Sequence, residues 1–229
     1  MKAGGRNAKN DERKRVLIVD DHSVLREGLR MVIDEQPDMV VCGEASDAPQ
    51  ALEAVEQCKP DIAIVDLSLV GSSGLELVKD LKARYPHLPA LVLSLHDEAL
   101  YAERVVRAGA RGYIMKRSSS SELLNALREV LKGNVYLSEN MASRIMKQVF
   151  GRHEIAPERN SIEVLSDREL EVFQLIGEGH GTSDIAKRLR LSMKTVSCYR
   201  QNIKNKLQLK DATELVQHAI HWTANLRAE

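Results

Sequence analysis

Five short apolar runs alternate with amphipathic stretches through the first 133 residues, and this alternation constrains the fold more than any other feature. The runs are VLIVD (16–20), MVVCGEA (39–45), DIAIVDL (61–67), ALVLSL (90–95) and GYIM (112–115). Each is short, continuous and rich in β-formers, as a strand buried on both faces must be. The stretches SVLREGLRMVIDE, APQALEAVEQC, SGLELVKDLKARY, EALYAERVVRAG and SELLNALREVLKG follow them with apolar residues at helical spacing. Gly109 and Gly133 fall where C-terminal helix caps are expected. Five βα units of this length predict an α/β doubly wound, five-stranded parallel sheet with helices on both faces.

After Gly133 the strands stop. Residues 137–150 read as a helix, and 151–164 are polar, contain Pro157 and lack periodicity, as a linker does. From Ser166 the pattern is purely helical: DRELEVFQLIGEG, TSDIAKRLR, KTVSCYRQNIKNKL and ATELVQHAIHW. GEGHG (177–181) has no preceding strand and no following Lys-Ser/Thr, so it is a helix end and turn rather than a phosphate loop. The predicted organisation is a disordered tail over 1–14, an α/β domain over 15–133, a linker with a helix over 134–163, and an all-α domain over 164–229.

Charge separates the two domains. Between Val16 and Gly133 there are 13 Lys/Arg against 19 Asp/Glu, whereas Ala186–Lys210 carries eight basic residues and no acid. An acidic module is thus joined to one suited to polyanions. No apolar run approaches the ~18 residues of a membrane span. Cys42, Cys58 and Cys198 are widely spaced and form no CxxC pair, which argues against a disulfide framework or a zinc site and suits a reducing, cytoplasmic setting.

Polar residues gather at the strand ends. In a parallel sheet, ligands bind beyond the C-terminal ends of the strands. Asp20 and Asp21 end the first strand, Asp66 the third, Ser94 the fourth and Lys116 the fifth. Each alone has an ordinary explanation: Asp21 could cap the next helix, and Lys116 could simply be solvated. Together they converge on one crevice. Three close carboxylates call for a cation. Hard oxygen donors with open positions suit Mg²⁺, and Asp66 is placed to act as a phosphoryl acceptor.

These residues carry a resemblance. The acid pair Asp20/Asp21, the acceptor Asp66, the hydroxyl Ser94, the aromatic Tyr113 and Lys116 match the pattern of a two-component receiver domain, a flavodoxin-like fold. DLSLVGSSGLEL resembles the family's loop after the acceptor, although Val70 replaces the usual proline and Arg117 stands where many receivers have proline. The resemblance implies phosphoryl transfer from a sensor histidine kinase to Asp66. It also implies Mg²⁺ held by Asp21, Asp66 and the Ser68 backbone carbonyl, with Asp20 acting through bound water. Ser94, Tyr113 and Lys116 are the implied switch, Tyr113 turning inward as Ser94 approaches the phosphoryl group.

The basic segment TSDIAKRLRLSMKTVSCYRQNIKNKL reads as two short helices about a tight break, with Ser192 as N-cap of the second. Ile185, Ala186, Leu189, Leu191, Val196 and Ile203 can pack the pair, leaving Lys194, Ser197, Arg200, Gln201 and Lys204 outside. The region from LSDREL to ATELVQHAI resembles the LuxR-type DNA-binding domain, with TSDIA where NKEIA is common. Lys194, Thr195, Arg200 and Lys204 are expected near phosphates, and Ser197, Cys198 and Gln201 near bases. Leu215, Ala219 and Trp222 form a stripe on the last helix that is a candidate dimer face as well as a core face.

The combined resemblance is to response regulators of the NarL/FixJ type: transcription regulators rather than enzymes, acting as homodimers on double-stranded promoter DNA, with RNA polymerase as a further partner. Two other classes fit less well. An aspartate-nucleophile phosphohydrolase wants an acid two residues after its nucleophile, but Ser68 follows Asp66 there. A phosphorylation-independent regulator would not need the full set of pocket residues.

Overall fold

The structure, a computed structural model, describes residues 13–69, 73–95, 98–139, 141–143 and 162–226. The expected tail up to residue 12, most of the helix expected over 137–150 and most of the linker expected over 151–164 lie outside the described residues. The chain divides into two compact units, residues 1–150 and 151–229.

In the first unit the strands are β1 (Lys14–Val19), β2 (Met39–Ala45), β3 (Ile62–Val65), β4 (Ala90–Ser94) and β5 (Gly112–Met115). They form one parallel sheet in the order β2-β1-β3-β4-β5. The helices are α1 (Ser23–Asp34), α2 (Ala48–Cys58), α3 (Gly74–Arg84), α4 (Glu98–Ala108) and α5 (Ser120–Leu131). β1 opens at Lys14, inside the stretch read as tail. Val16, Ile18, Ile62, Ile64, Leu91, Leu93 and Ile114 point to one face and pack with Leu29 and Ile33 of α1 and Leu123, Leu127 and Val130 of α5. The intervening strand residues face the other side, so the apolar run of each central strand is buried on both faces, with only Lys14 and Arg15 at the start of β1 exposed. Gly109 and Gly133 have φ of 104° and 92°, the left-handed geometry of a helix end.

Beyond α5 the chain returns to the free edge of β5. Tyr136 forms a parallel bridge with Gly112: its N–H donates to the Arg111 carbonyl, and its own carbonyl accepts from the Tyr113 N–H. An open strand edge is covered in this way. The Ser138 N–H donates to Glu98 at the start of α4.

The second unit is helical: α6 (Asp167–Gly177), α7 (Thr182–Arg188), α8 (Met193–Lys206) and α9 (Ala212–Leu226). A capping box starts α6, with Ser166 accepting from the Glu169 N–H and Glu169 accepting from the Ser166 N–H. Phe173 is fully buried, with the rings of His218 and Trp222 tilted against it at 5.8 and 5.4 Å. The last-helix stripe therefore faces inward: Leu215 and Ala219 are wholly buried and Trp222 covers Phe173. Leu215 and Ala219 thus belong to the core between α9 and α6, and Trp222 stays partly exposed at its edge. Within GEGHG, Gly179 supplies the turn, with φ 91°. No helix among the described residues is long and apolar enough to cross a membrane.

Candidate functional site

Strand register builds the acidic pocket. Val19 pairs with Val65 across β1 and β3, so Asp20 and Asp66 emerge side by side, and the Asp66 N–H donates to the Val19 carbonyl. Ser94 ends β4 beside Met115 of β5, and the Lys116 N–H donates to the Ser94 carbonyl at 2.8 Å. Lys116 is thereby aimed back across the strand ends. Its ammonium donates to Asp66 Oδ2 at 2.8 Å and lies 2.6 Å from Asp20 Oδ2. All three groups are nearly sealed from solvent, with side-chain exposures of 6% for Lys116, 2% for Asp20 and 1% for Asp66.

Asp21 is at the rim. It does not cap α1: the N-cap is His22, which makes no side-chain capping bond. Instead the His22 ring Nδ1 lies 2.7 Å from Asp21 and 3.0 Å from Asp20, and its N–H donates to Asp20. One ligand atom from each of Asp20, Asp21, His22 and Asp66 falls within 4.8 Å of the others.

Three ionised carboxylates against one ammonium leave two negative charges unbalanced. Burial pushes the Asp66 carboxyl above its ordinary range; Lys116 opposes this and the nearby Asp20 charge adds to it. For Lys116, burial opposes the charge, but Asp66 and Asp20 outweigh it and raise the pKa. Asp66 Oδ1 is buried with no hydrogen-bond partner. Asp20 Oδ2 faces the Lys116 ammonium and Asp21 Oδ1 the His22 ring. An unpartnered buried Asp66 oxygen beside two further carboxylates is the donor set of a hard divalent cation, so the residues fit one.

Three supports of the pocket carry no signal of their own in the sequence. Arg26 of α1 donates to the Asp20 carbonyl at 2.6 Å and is itself held by Glu44 of β2. His22 sits between the two acids. Gly74 opens α3 directly under Asp66: its N–H donates to the Leu67 carbonyl, and a Cβ there would lie 1.9 Å from the Asp66 carbonyl oxygen. Val70 lies outside the described residues, and Ser68 is half-buried.

Ser94 is wholly buried at the end of β4, and Tyr113 is 1% exposed, opposite Val92 in the ladder. The expected inward turn of Tyr113 has no outward start here, because the ring is already packed in the core. All peptide bonds among the described residues are trans, Lys116–Arg117 included.

In the second unit α7 and α8 form the expected pair. Ser192 accepts from the Thr195 N–H and starts α8. Ile185, Val196 and Ile203 are completely buried between the helices. Lys194, Ser197, Cys198 and Gln201 are exposed along one face, while Thr195, Arg200 and Lys204 are half-buried at its margins. Gln201 donates to Asn205 one turn on. Lys206, counted above in the basic set, turns away to pair with Glu169 of α6 at 2.6 Å.

Comparison with known proteins agrees with both halves. Residues 16–128 match the response regulator receiver domain, and residues 163–219 match the luxR family of bacterial regulatory proteins. The chain is 37% identical over 210 residues to the oxygen regulatory protein NreC of Staphylococcus haemolyticus, covering 90% of this chain and 96% of that one. It is similar to a LuxR-family two-component response regulator from Aurantimonas sp. SI85-9A1, with 32% identity and a TM-score of 0.56, over 60% of this chain and 98% of that one. A structure of two RcsB dimers bound to two parallel DNAs matches with 26% identity and a TM-score of 0.54, over 90% of this chain and 97% of that one. A receiver sheet with its acidic pocket, followed by a LuxR-type helix-turn-helix, makes this chain a member of the NarL-type response regulators, the phosphorylation-controlled DNA-binding regulators of transcription.

Proposed function

We propose that Asp66 is the phosphoacceptor and that Asp66 Oδ1 is the attacking atom. The observation that carries this is the asymmetry of the carboxylate: Oδ2 is held by Lys116, while Oδ1 is buried and unbonded. In transfer from a phosphohistidine of a sensor kinase, the P–N bond breaks as an Oδ1–P bond forms. Asp21, Asp66 and the Ser68 carbonyl would hold Mg²⁺ directly, with Asp20 acting through water. The ion supplies charge neutralisation on the transferring group. Lys116 pairs with the new phosphoryl oxygens, and Ser94 donates a hydrogen bond to them. With Lys116 bonded through its backbone to Ser94, the change reaches the β4–β5 edge and Tyr113.

The α8 face is the DNA reader. Lys194, Thr195, Arg200 and Lys204 contact phosphates, and Ser197, Cys198 and Gln201 meet base edges in the major groove. The chain acts in the cytoplasm as a homodimer on double-stranded promoter DNA, with RNA polymerase as a further partner, and it is a regulator rather than an enzyme. The functional boundaries we infer are a receiver that opens with β1 at Lys14 and runs to 133, a linker over 134–163 and a DNA-binding domain over 164–229.

The test is incubation with a small phosphodonor and Mg²⁺. Stable label at Asp66, lost in Asp66→Asn, supports the reading. Continuous phosphate release would make the chain a phosphohydrolase, and absence of label would make the receiver vestigial. Full labelling of Asp66→Asn would move the acceptor elsewhere.

A further inference from the structure

Cys42 and Cys58 are 16 positions apart in sequence, yet their sulfurs lie 3.1 Å from each other. Three local features bring them together. The β1–β2 register slips by one residue, so that Val16 pairs with Val41 but Leu17 pairs with Gly43, and Cys42 is the extra residue of a bulge. Bulges re-aim side chains. Val41 points into the core shared with α1 and α5, whereas a Cβ on Gly43 would meet Leu17, Ala54 and, at 3.1 Å, the Cys58 sulfur. The missing side chain at 43 is thus the space the Cys58 sulfur uses. Finally, α2 ends at Cys58 because Lys59 takes a left-handed conformation, with φ 42°, which fixes that thiol at the helix terminus.

We propose that Cys42 and Cys58 are a reversible redox pair that closes to an intramolecular disulfide when a peroxide reaches it. Both are free thiols and both are half-buried, so they are reachable. A disulfide S–S bond is about 2.0 Å long, so closure needs a sulfur movement of roughly 1 Å. A metal site is the competing use of paired thiols. Among the described residues, however, the only cluster of three or more potential ligands is the acidic pocket.

Burial and the neighbouring Cys58 raise the pKa of the Cys42 thiol, with Arg15 opposing. Closure balances the same way whichever thiol attacks first, Cys58 for instance. Its thiolate attacks one peroxide oxygen: an S–O bond forms, the O–O bond breaks, and the departing hydroxide takes up the proton that Cys58 released and leaves as water. The Cys42 sulfur then attacks the sulfenic sulfur of Cys58. The S–S bond forms, the S–O bond breaks, and the leaving hydroxide takes the Cys42 proton as a second water. Two thiols and one peroxide become one disulfide and two waters.

The experiment uses the full chain carrying Cys198→Ser, so that the exposed third thiol adds no intermolecular product. Treatment with stoichiometric hydrogen peroxide is followed by alkylation and mass measurement of the unreduced protein. The expected result is a mass lower by two hydrogen atoms, loss of alkylation at both cysteines, and a cross-linked peptide joining 42 to 58. Dithiothreitol should restore both thiols. Adding Cys58→Ser should abolish the mass loss and leave Cys42 alkylatable. Sulfinic acid accumulating at Cys58 while Cys42 stays alkylatable would overturn the pairing, as would two thiols that remain free after peroxide.

Discussion

Lys116→Met tests the electrostatics of the pocket directly. The side chain keeps much of its length and loses its charge together with its N–H donors. Nζ is 2.8 Å from Asp66 and 2.6 Å from Asp20. At an effective dielectric near 20, each contact corresponds to about 6 kcal/mol of attraction. Desolvating three sealed charges cancels much of that gain, and removing one partner of a buried pair ordinarily costs about 3–5 kcal/mol. The expected loss is therefore about 3 kcal/mol or more at neutral pH without divalent cations. The sign of the pH dependence follows from Asp66. Its folded pKa is raised, so the native state binds a proton more readily than the unfolded chain, and stability falls as pH rises from the ordinary carboxylate value through the folded one. Without Lys116 that carboxyl loses its counter-charge, and the deficit should shrink as pH is lowered through the raised folded value. Magnesium should narrow it too, because a second cation takes over part of the neutralisation. Urea unfolding followed by far-UV circular dichroism is the assay, since the single tryptophan, Trp222, lies in the other unit. A variant within about 0.5 kcal/mol of the parent at neutral pH would refute the reasoning, because surface charges commonly cost no more than that. So would a deficit independent of both pH and magnesium.

Gly74→Ala should destabilise the receiver by roughly 1–3 kcal/mol and cut labelling by a phosphodonor, since the new Cβ would collide with the Asp66 backbone; near-normal labelling would show that α3 can retreat without moving the acceptor. Glu169→Ala removes a cap and an ion pair that hold α6 to α8, at about 2 kcal/mol. Burial raises the Glu169 pKa, but Lys206 and Ser166 outweigh it and hold it below normal. The contribution is present above the ordinary Glu value and is lost as pH falls through the folded one, so the variant should show a flatter acid limb in Trp222 fluorescence. Gln201→Ala should cost about 1–3 kcal/mol at one base position, whereas Lys204→Ala should weaken all sequences alike and flatten the salt dependence. Site selection giving identical preferences for Gln201→Ala and the parent would transfer the reading to Ser197 and Cys198.

The sheet was legible because its periodicity is a local property: burial on both faces confines the polar residues of a central strand to its ends, as with Lys14, Arg15 and Ser94, so each apolar run marks its own strand. The α2 boundaries, Ala48–Cys58, coincide with the sequence pattern, since Asp47 caps one end and Lys59 turns the other. The convergence of Asp20, Asp66 and Lys116 followed from one rule about strand ends. What stayed hidden depends on which element covers which. The stripe Leu215, Ala219 and Trp222 declares an apolar face, but only the position of Phe173 shows what lies against it. Arg26 looks like any solvated helix arginine until α1 is laid beside β2 and its Glu44. Lys206 counts as one more cation until α6 presents Glu169. The Cys42–Cys58 contact depends on a one-residue register slip that no spacing rule anticipates.

The same geometry ties the pocket to the chain's exit from the receiver. Lys116 has two ends with different tasks: its ammonium holds Asp66, and its backbone N–H holds the Ser94 carbonyl. On the proposed function, a phosphoryl group at Asp66 would pull on the β4–β5 edge through this single residue. Three positions back along β5, Tyr113 is fully buried, and a ring of that size in a close-packed core shifts between discrete arrangements rather than sliding. Its N–H is bonded to the Tyr136 carbonyl, in the segment that leaves α5 for the second half of the chain. Glu98, which opens α4 just after the Ser94 loop, holds the same segment through the Ser138 N–H. The outgoing chain is thus held by a backbone bond to β5 and by a bond from the Ser138 N–H to the Glu98 carboxylate, so that, on the proposed switch reading, a rearrangement around Ser94 and Tyr113 would load residues 136–138.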